Sequence, residues 1–153
     1  MPEESRLIEV LMRGAIGVVQ MERLPGQLRR RRELASQLKE LVGDIEGGRP
    51  PSDPEWGGHI YQSFVVILDE GIDRKRVIEG LRDRDVETTI GTYALHDQPF
   101  YRNSYGYRRG QLPRSDDAFR RTLTLPLYPQ MVEEDVRVVA RELDAVIAST
   151  CEW

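Results

Sequence analysis

The sequence predicts an α+β fold: an N-terminal helical arm, then a small three-stranded antiparallel sheet covered by helices. Three observations lead there. The first 45 residues have helical periodicity, a stretch rich in glycine and proline follows, and the remainder alternates short apolar runs with amphipathic ones. A length of 153 residues suits one hydrophobic core and leaves little room for two. The expected division is a helical arm over 1–45, a linker over 46–58 and a sheet-and-helix core over 59–149.

In the arm, Ile8, Leu11, Met12, Ala15 and Val19 share one helical face. Gly14 and Gly17 each cost about 1 kcal/mol relative to alanine there. They read either as tolerated glycines or as points where another backbone or a ligand comes close. Pro25 has no N–H and disfavours the α region at Leu24, which predicts a break or kink. A second helix then runs to about Val42, with Leu28, Leu34, Ala35, Leu38, Leu41 and Val42 inward. Its run from Arg29 to Arg32 reads as a solvated face with one or two ion pairs, or as a patch for phosphate or an acidic partner. Four consecutive residues wrap more than a full turn, so they cannot all meet one ligand.

The segment DIEGGRPPSDPEWGG from Asp44 has no periodicity and marks the linker. Ile60 to Leu68 reads as a largely buried strand. Asp73 can cap a helix from Arg74 to Arg84 with Val77, Ile78 and Leu81 inward. Val86 to Tyr93 is rich in β-branched residues and reads as a second strand. Asp97 to Pro113 reads as a long loop, and Ser115 or Asp116 opens a short helix. A third strand starts at Leu123 and stops at Pro126. Glu133 to about Ala148 forms the last amphipathic helix, with Val136, Val139, Leu143 and Val146 or Ile147 inward.

Composition narrows the function classes. A net charge of -4 argues against nucleic-acid binding, which favours a strongly basic surface. The longest strongly apolar runs are about five residues, against the ~20 that a membrane helix needs, and the acidic N-terminus does not read as a secretory signal. A single cysteine, Cys151, allows no disulfide framework, so a cytoplasmic protein is expected. His59 and His96 are the only histidines, at no zinc-binding spacing, and no metal is expected. The sequence has no GxSxG elbow, phosphate-binding loop or dinucleotide loop. Lys39 and Lys75 are the only lysines, against twenty arginines.

What remains is IGTYALHDQPFY, Ile90 to Tyr101. With Gly91 and Asp97, it carries Tyr93, His96, Gln98 and Tyr101, side chains that can stack on rings and hydrogen-bond hydroxyls as a ligand-lining loop does. The alternative is an irregular loop whose aromatics pack on the core.

Several segments, in order along the chain, resemble one family. GAIGVVQMERL (Gly14 to Leu24) is similar to the "AAIGLxQLxxL" helix of the DegT/DnrJ/EryC1/StrS aminotransferases, and RRRRELA (Arg29 to Ala35) to its "RRxxLA" continuation. His59 with the Tyr61–Ile67 segment resembles "HxYHxYV". IGTYALHDQPFY resembles "GTYALHxQPxY", and LTLPLYPQMVEEDV (Leu123 to Val136) resembles "LxLPLYPxMTEEDV".

The resemblance implies the small C-terminal domain of a fold-type-I enzyme. Such an enzyme uses pyridoxal phosphate (PLP) and an amino donor to transaminate keto sugars carried on nucleotides, as a homodimer. The family's large cofactor-binding domain has no counterpart in these segments, and neither Lys39 nor Lys75 matches its Schiff-base lysine motif. The chain alone is therefore expected to hold no cofactor, no catalytic residue and no activity. Tyr93, His96, Gln98 and Tyr101 fall on a loop that the resemblance places at the active-site mouth, where they would bind substrate.

Some positions depart from the family pattern. Arg6 and Ile8 replace the asparagine and arginine of its "NxR", Gln62 stands at a frequent histidine, and Gly91–Thr92 replace "HY". Asp85 replaces a helix-ending glycine, and Val132 a capping threonine. The readings from other classes are a non-catalytic binding or interaction module, and a regulatory relative, each retaining the fold.

Overall fold

The structure of the chain, a computed structural model, describes residues 3–150; Cys151 lies outside them. The elements run α1 (Glu3–Gly43), β1 (Gly48–Arg49), β2 (Phe64–Leu68), α2 (Arg74–Arg82), β3 (Thr89–Ile90), α3 (Pro99–Tyr105), α4 (Pro113–Arg121), β4 (Thr122–Leu125) and α5 (Glu133–Thr150). A 3-10 turn at Leu95–Asp97 precedes α3. The fold is α+β, with a four-stranded antiparallel sheet in the order β1-β2-β4-β3.

Helix α1 is continuous through Pro25, so of the expected break or kink there is no break. Proline's fixed φ suits a helix, and its cost is the lost N–H bond to the carbonyl of Met21 together with the crowding of its ring against that carbonyl. Met21 is exposed, so water can take that carbonyl. Leu34, Ala35, Leu38 and Val42 form the buried stripe of the C-terminal half, which packs on α5 and β1. The N-terminal half has no such stripe. Ile8, Val10, Leu11, Met12, Ile16, Val18 and Met21 are all exposed, and no described atom lies within 4 Å of where a side chain on Gly14 or Gly17 would begin.

The arginine run keeps part of the expected solvated face, with Arg29 exposed and Arg30 facing Glu33 at 3.6 Å, but three of its members also bind backbone. Arg31 Nη1 donates to the carbonyls of Tyr61 (2.8 Å), Gln62 (3.1 Å) and Leu127 (3.3 Å). Arg30 reaches the Met131 carbonyl at 2.8 Å and Arg32 that of His59 at 3.1 Å. Three successive arginines thus clamp backbone on two loops that the chain places far from α1 in sequence.

The clamp also shortens β2, which begins at Phe64 instead of Ile60. Tyr61 has φ 48°, a left-handed conformation unusual for a bulky residue, and its carbonyl is turned to Arg31. The linker supplies the unexpected strand β1. Gly48 and Arg49 pair with Leu68 and Ile67, and Gly47 (φ 90°) lies where a Cβ would be 2.7 Å from Ile72 Cδ1. Along β2, Phe64, Val66 and Leu68 are buried and join Leu123, Leu125 and the apolar residues of α1, α2 and α5 in one core.

Two local expectations hold at α2. Asp73 Oδ1 accepts from the Lys75 N–H at 2.8 Å, and Asp85 has φ 60°. The Val86 N–H reaches the Leu81 carbonyl at 2.9 Å and the Asp85 N–H that of Arg82 at 3.1 Å, the pattern that closes a helix through a left-handed residue. Because Val86 serves that closure, β3 starts only at Thr89, not at Val86. The expected loop after Asp97 contains α3, opened by Pro99 and closed by Gly106 (φ 71°). Helix α4 starts at Pro113, ahead of Ser115, with proline in the first turn, where its missing N–H costs nothing.

At the start of α5, the Val132 N–H donates to Asp135 Oδ2 at 2.8 Å. This is half of a reciprocal capping pair, and valine cannot supply the other half. Val132 is exposed, so a hydroxyl there displaces no packing. Val132→Thr is expected to stabilise the chain by about 1 kcal/mol, read as a higher urea midpoint; an unchanged midpoint contradicts the capping assignment.

Candidate functional site

The loop between β3 and α4 leaves the sheet at Gly91. Its N–H donates to the Thr122 carbonyl at 3.0 Å. A Cβ on Gly91 would lie 2.6 Å from Thr122 Cβ and Oγ1 and 2.7 Å from Val65 Cγ1. The loop can therefore approach the sheet this closely only with glycine at its root. Thr122 is itself fixed, its hydroxyl donating to the Ala118 carbonyl at 2.6 Å.

Beyond Gly91 the four sequence-derived site residues separate. Tyr93 is 58% exposed and stacks on Phe119 of α4, centroids 6.1 Å apart. His96 turns inward and is 4% exposed. Its Nε2 lies 3.1 Å from Asp116 Oδ1, and its ring meets Tyr107 edge-on at 6.4 Å. The His96–Asp116 approach has the distance of an ion pair without the alignment of a hydrogen bond, and His96 Nδ1 has no hydrogen-bond partner among the described residues. Gln98 sits at the start of α3, its side chain making no capping bond. Tyr101 stacks on Tyr105 (5.9 Å) and meets Phe100 edge-on (5.4 Å), an aromatic group on the outside of α3.

Polar contacts hold the loop in shape. Asp97 Oδ1 faces Arg109 Nε at 3.1 Å and Arg102 Nη1 at 3.7 Å. The Gly110 N–H donates to Asp116 Oδ2 at 3.1 Å. Asp116 thus touches both His96 and the far end of the loop. The sequence showed Asp116 only as a candidate helix opener, and Phe119 carried no signal, because both act through partners remote along the chain. A concavity of about 780 Å³ lies elsewhere, between the β3–β4 edge and α5, and none of the four residues lines it.

A second polar cluster surrounds Tyr61. Its hydroxyl donates to Asp53 Oδ1, and Lys39 Nζ lies 2.9 Å from Asp53 Oδ2. The Tyr61 N–H donates to His59 Nδ1 at 2.9 Å. Burial, followed by the adjacent Asp53 carboxylate, pushes the Tyr61 phenol up to about 12. The Tyr61 hydroxyl and then Lys39 hold Asp53 below its ordinary value. Lysine chemistry therefore has no setting here. Lys39 is neutralised by Asp53, and Lys75, 81% exposed, faces Glu79 at 3.7 Å. A nucleophilic lysine needs burial or cationic neighbours to lose its proton, whereas a carboxylate stabilises the charged form. The residues present do not fit a Schiff-base site for PLP, and no group of three or more metal-ligating side chains occurs among the described residues. No helix among them is long and apolar enough to cross a membrane.

Two predictions follow from these contacts. Gly91→Ala should destabilise the chain by about 1–3 kcal/mol, the usual cost of overpacking, measured by chemical unfolding; an unchanged stability contradicts the close approach. In an ultraviolet pH titration, one tyrosine should ionise near 12 and shift downward in Asp53→Asn. Between the ordinary tyrosine value of about 10 and that higher value, the folded state retains a proton that the unfolded state has lost, so this contribution to stability falls as pH rises. A Tyr61 that titrates normally in the native chain contradicts the cluster.

Comparison with known proteins agrees with the family resemblance of the sequence. The chain is 35% identical over 145 residues to the dTDP-4-dehydro-2,3,6-trideoxy-D-glucose 4-aminotransferase of Saccharopolyspora spinosa, an alignment covering 94% of this chain and 36% of that protein. The solved aminotransferase TlmJ of Streptoalloteichus hindustanus superposes with TM-score 0.77 at 33% identity, covering 88% of this chain and 35% of TlmJ. At 19% identity the fold alone is shared with a protein of Streptococcus pneumoniae, named as a sugar aminotransferase and solved in its PLP form (TM-score 0.81, covering 88% of this chain and 34% of that one). The chain spans about a third of the length of the curated relatives it matches. The family model for these enzymes matches residues 4–144, and the chain belongs to the DegT/DnrJ/EryC1/StrS aminotransferase family.

Proposed function

We propose that this chain is the C-terminal small domain of a PLP-dependent aminotransferase acting on nucleotide-linked keto sugars in the cytoplasm. The observation that carries this reading is the family match over residues 4–144, which runs through the loop bearing Tyr93, His96, Gln98 and Tyr101. The relative from Saccharopolyspora spinosa, named for a dTDP-linked keto sugar, supports the substrate class.

PLP, when bound by the complete enzyme, supplies the electron sink for amino transfer. The part of this chain is to bind and orient. Tyr93 and Tyr101 offer exposed ring faces, and Gln98 an amide that can both donate and accept to sugar hydroxyls. His96, buried against Asp116 and Tyr107, is a positioning residue that holds the loop. In this reading the Schiff-base lysine lies outside this chain, in keeping with the carboxylate partners of Lys39 and Lys75.

The N-terminal half of α1 fits the same reading. Its exposed apolar side chains cover a wide face beside a polar strip that carries Glu9 and Arg13, and a broad apolar face on a helix is normally packed against another element. The rest of the enzyme and a second subunit of a homodimer would enclose it.

The test replaces the matching third of the Saccharopolyspora spinosa enzyme with residues 4–144. The chimera should bind PLP and transaminate a dTDP-keto sugar. Adding Tyr101→Ala should lower kcat/KM about tenfold, a loss of about 1.4 kcal/mol, with the PLP absorbance unchanged. A chimera that folds and binds PLP but turns over no dTDP-keto sugar would falsify the proposal.

A further inference from the structure

Arg74 is the arginine of α2 that lies on an aromatic ring without a carboxylate in direct contact. Arg76, Arg84, Arg102, Arg109, Arg120 and Arg121 each face a carboxylate. Arg74 has none within ion-pair distance among the described residues. Its neighbour Asp73 turns one oxygen to the Lys75 N–H at 2.8 Å and the other toward Arg76 at 4.0 Å. The single hydrogen bond of Arg74, 3.4 Å to the Thr122 carbonyl, is long and goes to an acceptor already taken by Gly91. A guanidinium carries five N–H donors, so four have no protein acceptor here.

The guanidinium is nevertheless held in place. Its central carbon lies 4.9 Å from the centroid of the Phe119 ring, and Tyr93 stacks on the same ring. Burial pulls Arg74 below its ordinary value, against the opposing influence of Tyr93 and Asp73. A cation on an aromatic ring, partly removed from water and with no carboxylate in direct contact, suits a bidentate oxyanion.

We propose that Arg74, on Phe119 and beside Tyr93, is an oxyanion-binding site that takes a phosphate or carboxylate group at the root of the 91–101 loop. Assigning that anion to the substrate or amino donor of an aminotransferase rests on the function proposed above; the site itself does not. A nucleotide diphosphate and an amino-acid carboxylate share the chemistry that the fork recognises. The place of Arg74 on Phe119, the ring that Tyr93 also stacks on, would set the distance between the bound anion and whatever the loop holds.

The experiment titrates the full chain, at low salt, with inorganic diphosphate and separately with L-glutamate. The Arg74 Nε–H and the amides of residues 91–93 are followed by NMR. At least one anion should give a saturable shift. Saturation by diphosphate identifies phosphate as the source, and saturation by glutamate identifies carboxylate. Arg74→Gln should weaken binding at least about tenfold, and Arg74→Lys, which keeps the charge and loses the fork, should also weaken it. Arg76→Gln, on the same helical turn, should leave it unchanged. The Lys variant retains the stem over Phe119 and decides the matter if the Gln variant does not fold. No saturable shift with either anion, or equal weakening in Arg76→Gln, overturns the proposal, the second because it means diffuse charge attraction. The readout needs neither cofactor nor turnover, so this site can fail while the chimera is active, and the reverse.

Discussion

The backbone and side chain of Thr122 tie the junction of α4 and β4 to β2, to α2 and to the end of β3. Its carbonyl accepts from Gly91 and Arg74, its hydroxyl donates to Ala118, and its strand position faces Ile67 of β2. Thr122 therefore marks the end of α4, the start of β4, the point where the chain leaves β3 and the anchor of the first residue of α2. It is 5% exposed, so each of its polar atoms must find a partner inside the protein. The absent side chain of Gly91 is the steric complement of this arrangement, because Thr122 and Val65 occupy the space a Cβ would need. Every residue of the candidate loop is displayed relative to that junction.

A second set of bonds holds the opposite side of the molecule. Arg30, Arg31 and Arg32 reach carbonyls of residues 59, 61, 62, 127 and 131. Hydrogen bonds from a charged donor contribute about 1.5–3 kcal/mol each, and the Arg31 nitrogen reaches carbonyls of two loops at once. The turn at Tyr61, left-handed for an aromatic residue, is stable because its carbonyl, N–H and hydroxyl all have partners. Strain of this kind persists where the surroundings over-determine a conformation. The same helix that supplies these arginines buries Leu34, Leu38 and Val42, so the C-terminal half of α1 is fixed by apolar burial and by its arginines together.

The candidate loop separates support from display. His96, Asp97 and Asp116 face inward or into the loop and set its shape, while Tyr93, Phe100, Tyr101 and Tyr105 turn rings to the outside. This division is invisible in residue types alone: a histidine and a tyrosine read equally well as loop-lining groups until their burial is known.

What the sequence by itself determined are the features that depend on neighbours along the chain. The α+β class, the cap at Asp73, and the burial of Val77, Leu81 and the inward residues of α5 follow from periodicity and local backbone chemistry, whereas Ile78, expected inward, is only half-buried, and the turn at Asp85 was marked by the family's helix-ending glycine. The loop from Gly91 to Tyr101 and its family resemblance were legible for the same reason, since both are contiguous strings. Tertiary structure decided the rest. Strand β1, Gly48–Arg49, has no side-chain pattern and exists only because β2 offers an edge to its backbone. Pro25 reads as a break because its local cost is visible, whereas the solvent exposure that lets the helix continue is not. The arginine run reads as surface because its acceptors are main-chain carbonyls, and a carbonyl leaves no mark in a sequence. Arg74 differs from Arg76 on the same helical turn by its place on Phe119 and by having no carboxylate at ion-pair distance among the described residues, and only folding decides which groups come to lie side by side.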